Sequence, residues 1–343
     1  MNSNKKLRQA RHHRALQRRA RRKAERRKRR KQGGRQVTTF DPSSFAKAIL
    51  PKHRLILTSP AELGFFDFPE QTIRFLMAIR SAAKKGKHSE IVIDHSDLVD
   101  LSAAAALTLI AELFMAQYSQ PKCTLICKFP RDSAVRNLLG LIGYYKYFPA
   151  VQWTAPTGST RFYLAHRYGE GVDQKAASEL ISHLRTVGRL PSSRLYEALI
   201  EGMQNATEWG YGNRVAGYRR WWLLGYRDSQ TGEISYCFYD QGAGIPVTIR
   251  KRLKDRVKFL SPTGSQLIRK AVVAGHYSRT RRPTRGRGLP TLKRFVDEAA
   301  SGRVLIQSRE SRCVFTTGKK PKLDDFEREC LQGTLITWNF TAR

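Results

Sequence analysis

From residue 54 onward the chain is written in blocks of apolar residues with two different periods. Residues 54–58 (Arg-Leu-Ile-Leu-Thr) form a short apolar run and predict a strand. Between Phe68 and Ala83, apolar residues at Ile73, Phe75, Leu76, Ile79 and Ala83 fall on one face of a helix. Ile91, Val92 and Ile93 make a β-branched run ending in Asp94, the pattern of a buried strand. Ser102 to Gln117 is rich in Ala and Leu and predicts a helix, Thr124 to Cys127 another strand, and Val135 to Tyr144 a further helix approached through Arg131, Asp132 and Ser133. Strands alternating with helices predict a layered sheet with helices packed on it. Residues 154–158 (Thr-Ala-Pro-Thr-Gly) are a candidate boundary.

A second α/β half follows. Its pattern predicts a helix from Gln174 to Val187 and, after a start signal at Pro191, Ser192 and Ser193, a second helix to about Trp209. Trp221 to Arg227 and Ser235 to Tyr239 read as strands joined by a turn at Ser229 to Gly232. A basic stretch without a clear period, read as loop, runs to Gly288. Leu289 to Ala300 predicts a helix, and Val304 to Ser308, Arg312 to Thr316 and Thr334 to Phe340 predict closing strands. No internal repeat is visible.

Composition narrows the class. The chain has 343 residues, enough for about two domains. Hydrophobic residues make up 41% of it, enough to bury real cores. No apolar run approaches the ~18 residues of a membrane helix. The richest stretch, Leu101 to Met115, is interrupted by Ser102, Thr108 and Glu112. The basic N-terminus is not followed by the apolar core of a signal peptide. Five cysteines are scattered without a Cys-x-x-Cys pair, so the reading is reduced, buried thiols in a cytoplasmic protein rather than a zinc or disulfide framework.

Charge separates one more region. The net charge is +35, and residues 1–36 carry +16 of it, with 17 Lys or Arg against the single acid Glu25. That segment, which includes Arg18, Arg19, Arg21, Arg22, Arg26 and Arg27, has too few large aliphatic residues to bury a core and is expected to be disordered when free. Such density of positive charge binds polyanions by counterion release, without reading sequence. It reads either as a nucleic-acid arm or as a solvated tail; a membrane tether lacks the apolar face it would need.

Three separated elements of the second half could carry chemistry. Glu201 and Asn205 stand four apart on a predicted helix and share a face. A carboxylate there can orient or deprotonate a nucleophile and an amide oxygen can ligate Mg²⁺, although both are also ordinary surface residues. Asp240-Gln241-Gly242-Ala243-Gly244-Ile245 directly follows a strand, so Asp240 can accept from an amino group while the glycines let backbone approach a flat ligand, or the run is an ordinary turn. Arg285-Gly286-Arg287-Gly288-Leu289 leads into a predicted helix, where glycine amides suit a phosphate chain, or it is a basic linker.

Taken in order, these elements resemble the ATP-binding Bergerat fold of the GHKL superfamily (gyrase, heat-shock chaperone, histidine kinase and MutL). Its boxes run Glu-x-x-x-Asn, Asp-x-Gly-x-Gly, Gly-x-Gly and a Gly-Thr near a closing strand, here Gly333-Thr334, over about residues 172–343. The resemblance implies an α+β two-layer sandwich binding Mg²⁺ and ATP. Asn205 would hold Mg²⁺, Asp240 the adenine amino group, and Thr334 would support the adenine end. Gly242, Gly244 and the adjoining Ile245 would shape the adenine pocket. Gly286 and Gly288, flanked by Arg285, Arg287 and Leu289, would hold phosphates. Glu201 would be the general base, and residues 246–285 a mobile lid. Asn205-Ala206 followed by Gly210-Tyr211 is similar to the anti-sigma-factor serine kinases, with Trp209 where those kinases often carry His. No phospho-accepting His helix of the histidine-kinase kind precedes the domain, and His183 reads as a surface residue.

The first half, over about residues 50–152, resembles the STAS domain of anti-sigma-factor antagonists through Asp100-Leu101-Ser102-Ala103 between a strand and a helix. That likeness places Ser102 at the antagonists' phosphorylated serine, although the family's second Ser and its Gly are absent. By its position alone, Ser102 also reads as a helix N-cap. The implied organisation is a basic arm (1–36), a separate STAS-like α/β domain (37–155) and a GHKL domain (172–343). The implied function is a Mg²⁺-dependent ATPase or serine/threonine kinase with a regulatory protein partner. The alternative is an ATP-gated nucleic-acid-binding module acting through the arm. A homodimer is left open.

Overall fold

The alternating first half forms β1 (Ala46–Leu50), β2 (Arg54–Thr58), β3 (Glu62–Leu63), α1 (Pro69–Lys85), β4 (Glu90–Asp94), β5 (Asp100–Leu101), α2 (Ala103–Ser119), β6 (Thr124–Lys128) and α3 (Ser133–Leu141). These elements come from a computed structural model that describes residues 46–50, 54–85, 88–155, 162–185, 192–211, 219–253, 262–274, 290 and 302–341. One sheet has the order β1-β2-β4-β6, with β2, β4 and β6 parallel and β1 antiparallel at the edge. β3 and β5 form a small separate parallel pair.

Capping sets where the helices start. Pro69 opens α1, where its missing N–H costs nothing, and Glu70 pairs with Arg74 one turn on at 2.9 Å. Ser102 caps α2 by accepting from the Ala105 N–H, and Asp132 caps α3 by accepting from Val135. The helix expected to reach Tyr144 ends at Leu141, and a 3₁₀ turn at Tyr144–Tyr147 follows left-handed Gly143.

The second half adds β7 (Phe162–Gly169), α4 (Gln174–Arg185), α5 (Ser192–Asn205), β8 (Trp221–Asp228), β9 (Glu233–Asp240), α6 (Ile245–Leu253), α7 (Gly264–Ala274), β10 (Gly302–Ser308), β11 (Ser311–Thr316), β12 (Lys322–Asp325) and β13 (Thr334–Thr341). Its seven strands are antiparallel in the order β12-β11-β10-β13-β9-β8-β7. The protein is thus mixed α/β. No helix among the described residues is long and apolar enough to cross a membrane.

The two faces of this sheet are covered by different parts of the chain. Trp221, Leu223, Tyr236, Phe238, Ile306 and Trp338 form one core with Leu180, Leu199 and Met203 of α4 and α5. On the opposite face, Trp222 meets Phe114 of α2 edge-on, with ring centroids 6.3 Å apart, and Tyr239 reaches Glu112 of the same helix. This explains why β8 and β9 are buried at nearly every position. It also explains α2, which packs against α1 as well and is buried on nearly every side. Arg74 pairs with Glu329 at 2.6 Å, and the buried Arg312 donates to the Phe65 and Phe66 carbonyls, fastening the first half to the second elsewhere. The sequence divides this stretch at about residues 155–172; in the structure Pro42–Arg343 forms one compact unit, with α2 common to both halves.

Two sequence expectations change. The basic stretch read as loop contains α6 and α7, whose Ile249, Leu267 and Ala271 pack together while Arg250, Arg269 and Lys270 stay exposed. β7 and β12 were not expected; β12 is a polar edge strand without apolar alternation. The helix expected over 289–300 lies outside the described residues, Pro290 apart. All five cysteines are free, and burial pushes the Cys127, Cys237 and Cys313 thiols up to about 12, the range of inert thiols.

Candidate functional site

The end of α5 seats against the end of β9. A Cβ on Gly202 would touch the Phe238 ring at 3.2 Å, so the lack of a side chain lets α5 lie close on the strand. Glu201 and Asn205, both half-buried, lie on the same helix on either side of Met203, whose side chain is in the core. After Asn205 the helix widens into one π-helical turn, Ala206–Gly210, a distortion that often marks functional sites. A Cβ on Gly210 would lie 3.4 Å from Asp240 Oδ1 and 3.7 Å from the Asn205 carbonyl oxygen. Gly210 therefore stands between the two.

Asp240 ends β9, is 6% exposed, and accepts one hydrogen bond at Oδ1, from the Gly242 N–H at 2.8 Å. Among the described residues no donor reaches its Oδ2. Burial pushes its carboxyl up to about 7, against the pull of that amide. The glycines around it serve the chain's own packing. A side chain on Gly242 would overlap the Gly210 backbone, whose carbonyl accepts from Ala243. Gly333, at φ +81°, lies so close to the Asp240 carbonyl that a Cβ there would overlap it.

Thr334 stands directly opposite Asp240 on β13 and is bonded to the Ser308 hydroxyl at 3.0 Å. The Ser308 hydroxyl also accepts from the Ile245 N–H at 2.8 Å. The structure thus brings together Asn205, Asp240, Gly242, Gly244, Ile245 and Thr334. Glu201 lies one helical turn before Asn205. Arg285, Gly286, Arg287, Gly288 and Leu289 lie outside the described residues, as do Arg18, Arg19, Arg21, Arg22, Arg26 and Arg27. Ser102 is the N-cap of α2: its hydroxyl accepts from Ala105 and its N–H donates to Leu63.

Four residues join this group that the sequence did not single out for it. Gln332 donates from Nε2 to the Gln241 and Gly242 carbonyls at 3.1 and 3.0 Å. The Tyr211 hydroxyl accepts from the Gln241 N–H at 3.0 Å and donates to the Arg220 carbonyl. Gln241 itself donates from Nε2 to Glu112 Oε1 at 2.8 Å. Glu112 was legible only as a break in an apolar run.

The donor set fits a nucleotide and a magnesium ion in part. A buried carboxylate oxygen without a protein donor suits an amino group. Among the described residues no group of three or more His, Cys, Asp or Glu could hold a metal. An ion at the Asn205 amide would therefore draw most of its ligands from phosphate and water, as Mg²⁺ commonly does. No family model matches the chain, and no curated protein matches it.

Proposed function

We propose that the second half is a Bergerat-type ATP-binding module and that it turns ATP over, as an ATPase or as a serine/threonine kinase, with the first half as a STAS-like regulatory or docking part. The observation that supports this most is Asp240. It is a carboxylate buried at a strand end, lacks a donor on Oδ2 among the described residues, and is flanked by the half-buried Asn205 and by Thr334. A group buried this deeply costs free energy unless something pairs with it, and an adenine amino group is the right partner.

In this reading Asp240 accepts from the adenine amino group and thereby selects adenine. Asn205 offers its amide oxygen to Mg²⁺, which would neutralise phosphate charge. Glu201 takes the proton of the attacking water or hydroxyl as its oxygen bonds to the γ-phosphorus and the bridging oxygen leaves with ADP. Gly286 and Gly288, with Arg285 and Arg287 beside them, supply amides and charge for the phosphates.

The test uses the full chain with Mg²⁺ and ATP labelled on the γ-phosphate, beside Glu201→Gln. Glu201→Gln is expected to cut turnover by at least about a hundredfold while keeping ATP affinity. Label on protein identifies a kinase, and phosphate released without protein label an ATPase. The second reading, an ATP-gated nucleic-acid-binding module, is favoured by the +16 charge of residues 1–36. It is the better account if nucleotide binds without turnover and salt-steep nucleic-acid binding disappears on deleting residues 1–36.

A further inference from the structure

Glu112 is a fully buried carboxylate in the middle of α2 and that helix's one charged residue. It is paired with Arg80 of α1 through both oxygens, Arg80 Nε to Oε2 at 3.0 Å and Arg80 Nη2 to Oε1. The Tyr239 hydroxyl, 3.4 Å from Oε1, also bonds the Gln332 carbonyl at 2.8 Å. Buried ion pairs are weak sources of stability, because well-packed apolar residues of the same volume often do as well. What this pair does that apolar residues could not is hold Gln241 by a bond to a charged acceptor.

Gln241 stands between Asp240 and Gly242 and is held at three points. Tyr211 takes its N–H, Gln332 binds its carbonyl, and Glu112 takes its side chain. The first two holders belong to the second half; the third comes from the first half, 129 residues earlier in the chain. The backbone that carries the Asp240 carboxylate is therefore fixed partly from outside the half that contains it.

We propose that Glu112, oriented by Arg80, is a positioning residue that acts through Gln241 to set the Asp240 loop for adenine, so that the first half tunes the nucleotide specificity of the second. This rests on the nucleotide reading above. The first half then acts on the site through this hydrogen bond, and its other fastenings, such as Arg74 to Glu329, do not set the loop.

Three variants of the full chain test it, with Kd measured for Mg²⁺-ATP and Mg²⁺-GTP. Gln241→Met keeps the Arg80–Glu112 pair and removes the side-chain tie to the loop; Glu112→Gln weakens the same tie from the other side. Both are expected to raise the ATP Kd about tenfold and leave the GTP Kd unchanged, the worth of one hydrogen bond to a charged group. Both should also speed hydrogen exchange in a peptide covering residues 240–244 without nucleotide. Arg74→Met, which cuts a different tie between the halves, should change neither affinity. If the wild type binds ATP and both tie variants keep its ATP-to-GTP ratio within about twofold, the inference is wrong and the nucleotide reading stands. The inference also fails if Arg74→Met lowers the ratio as much as the tie variants do. A wild type that binds no ATP overturns the nucleotide reading and the inference together.

Discussion

Two aspartates end strands in the two sheets, Asp94 on β4 and Asp240 on β9, and each is 6% exposed. Their carboxyls move in opposite directions. Burial alone would raise both. At Asp94 burial is outweighed by the Ser96 hydroxyl and amide and by Lys128, at 2.7, 3.0 and 3.0 Å, and the carboxyl is held below its usual value. At Asp240 only the Gly242 amide opposes burial, and the carboxyl rises to about 7. Position and burial do not separate these two carboxylates. The count of donors supplied by the chain does, because capacity left open at a buried oxygen is costly until a ligand fills it.

The sharpest way to break this comparison is to remove each carboxylate in turn and measure Mg²⁺-ATP affinity. Asp240→Ala should raise the Kd between about tenfold and a hundredfold, the worth of a hydrogen bond to a charged acceptor. Asp94→Ala should leave it unchanged, because the chain already fills that carboxylate's acceptor sites. Equal effects would mean that both aspartates only support the fold.

Acidity gives the next effect. An adenine amino group needs the ionised form of Asp240, and in the free protein that form is lost as pH falls below about 7. Affinity should then fall about tenfold per pH unit below 7 in the wild type. Asp240→Asn should bind more weakly at neutral pH and show no such slope, which separates Asp240 from titration of the nucleotide's own phosphates. A slope that persists in Asp240→Asn would assign it to those phosphates.

The same contrast marks what was legible in the sequence. Strands β8 and β9 and helix α5 followed from local period, and Asp240 from its place at a strand end before a glycine run. Both-sided burial of β8 was already written in Trp221-Trp222-Leu223-Leu224, but nothing local says that α2 covers the second face. Strand β12 stayed hidden because a polar edge strand needs no apolar alternation. The basic stretch concealed α6 and α7 because both helices are short and arginines and lysines interrupt the apolar residues that anchor them. Glu112 was visible as an interruption; its bond to Gln241 was not, since pairing across 129 residues leaves no trace in one sequence's period. Gly242 looked like a residue made for a ligand, and the structure gives it a nearer reason, the backbone of Gly210.

The smallest effect is on stability, and there the two aspartates should differ in sign. Asp94 has its pKa depressed by folding, so its contribution is present above the ordinary carboxylate range and is lost as pH falls through the folded value. Asp94→Asn keeps the shape and weakens the bonds to Ser96 and to the half-exposed Lys128, which should cost about 1 kcal/mol at pH 8. Asp240 has its pKa raised by folding, so the folded state holds the proton more tightly than the unfolded chain. Its ionisation penalises the fold progressively from about pH 4 to about pH 7 and fully above that. Without nucleotide, Asp240→Asn should therefore be more stable than the wild type at pH 8, and Asp94→Asn less stable. The Asp240 difference should shrink toward zero near pH 4, where that carboxyl is protonated in the fold and partly so in the unfolded chain, whereas the Asp94 difference should persist there and shrink only below the ordinary carboxylate range. Urea unfolding at the two pH values reads both signs. A stabilised Asp94→Asn or a destabilised Asp240→Asn at pH 8 would mean that the donors around these two carboxylates are not what separates them.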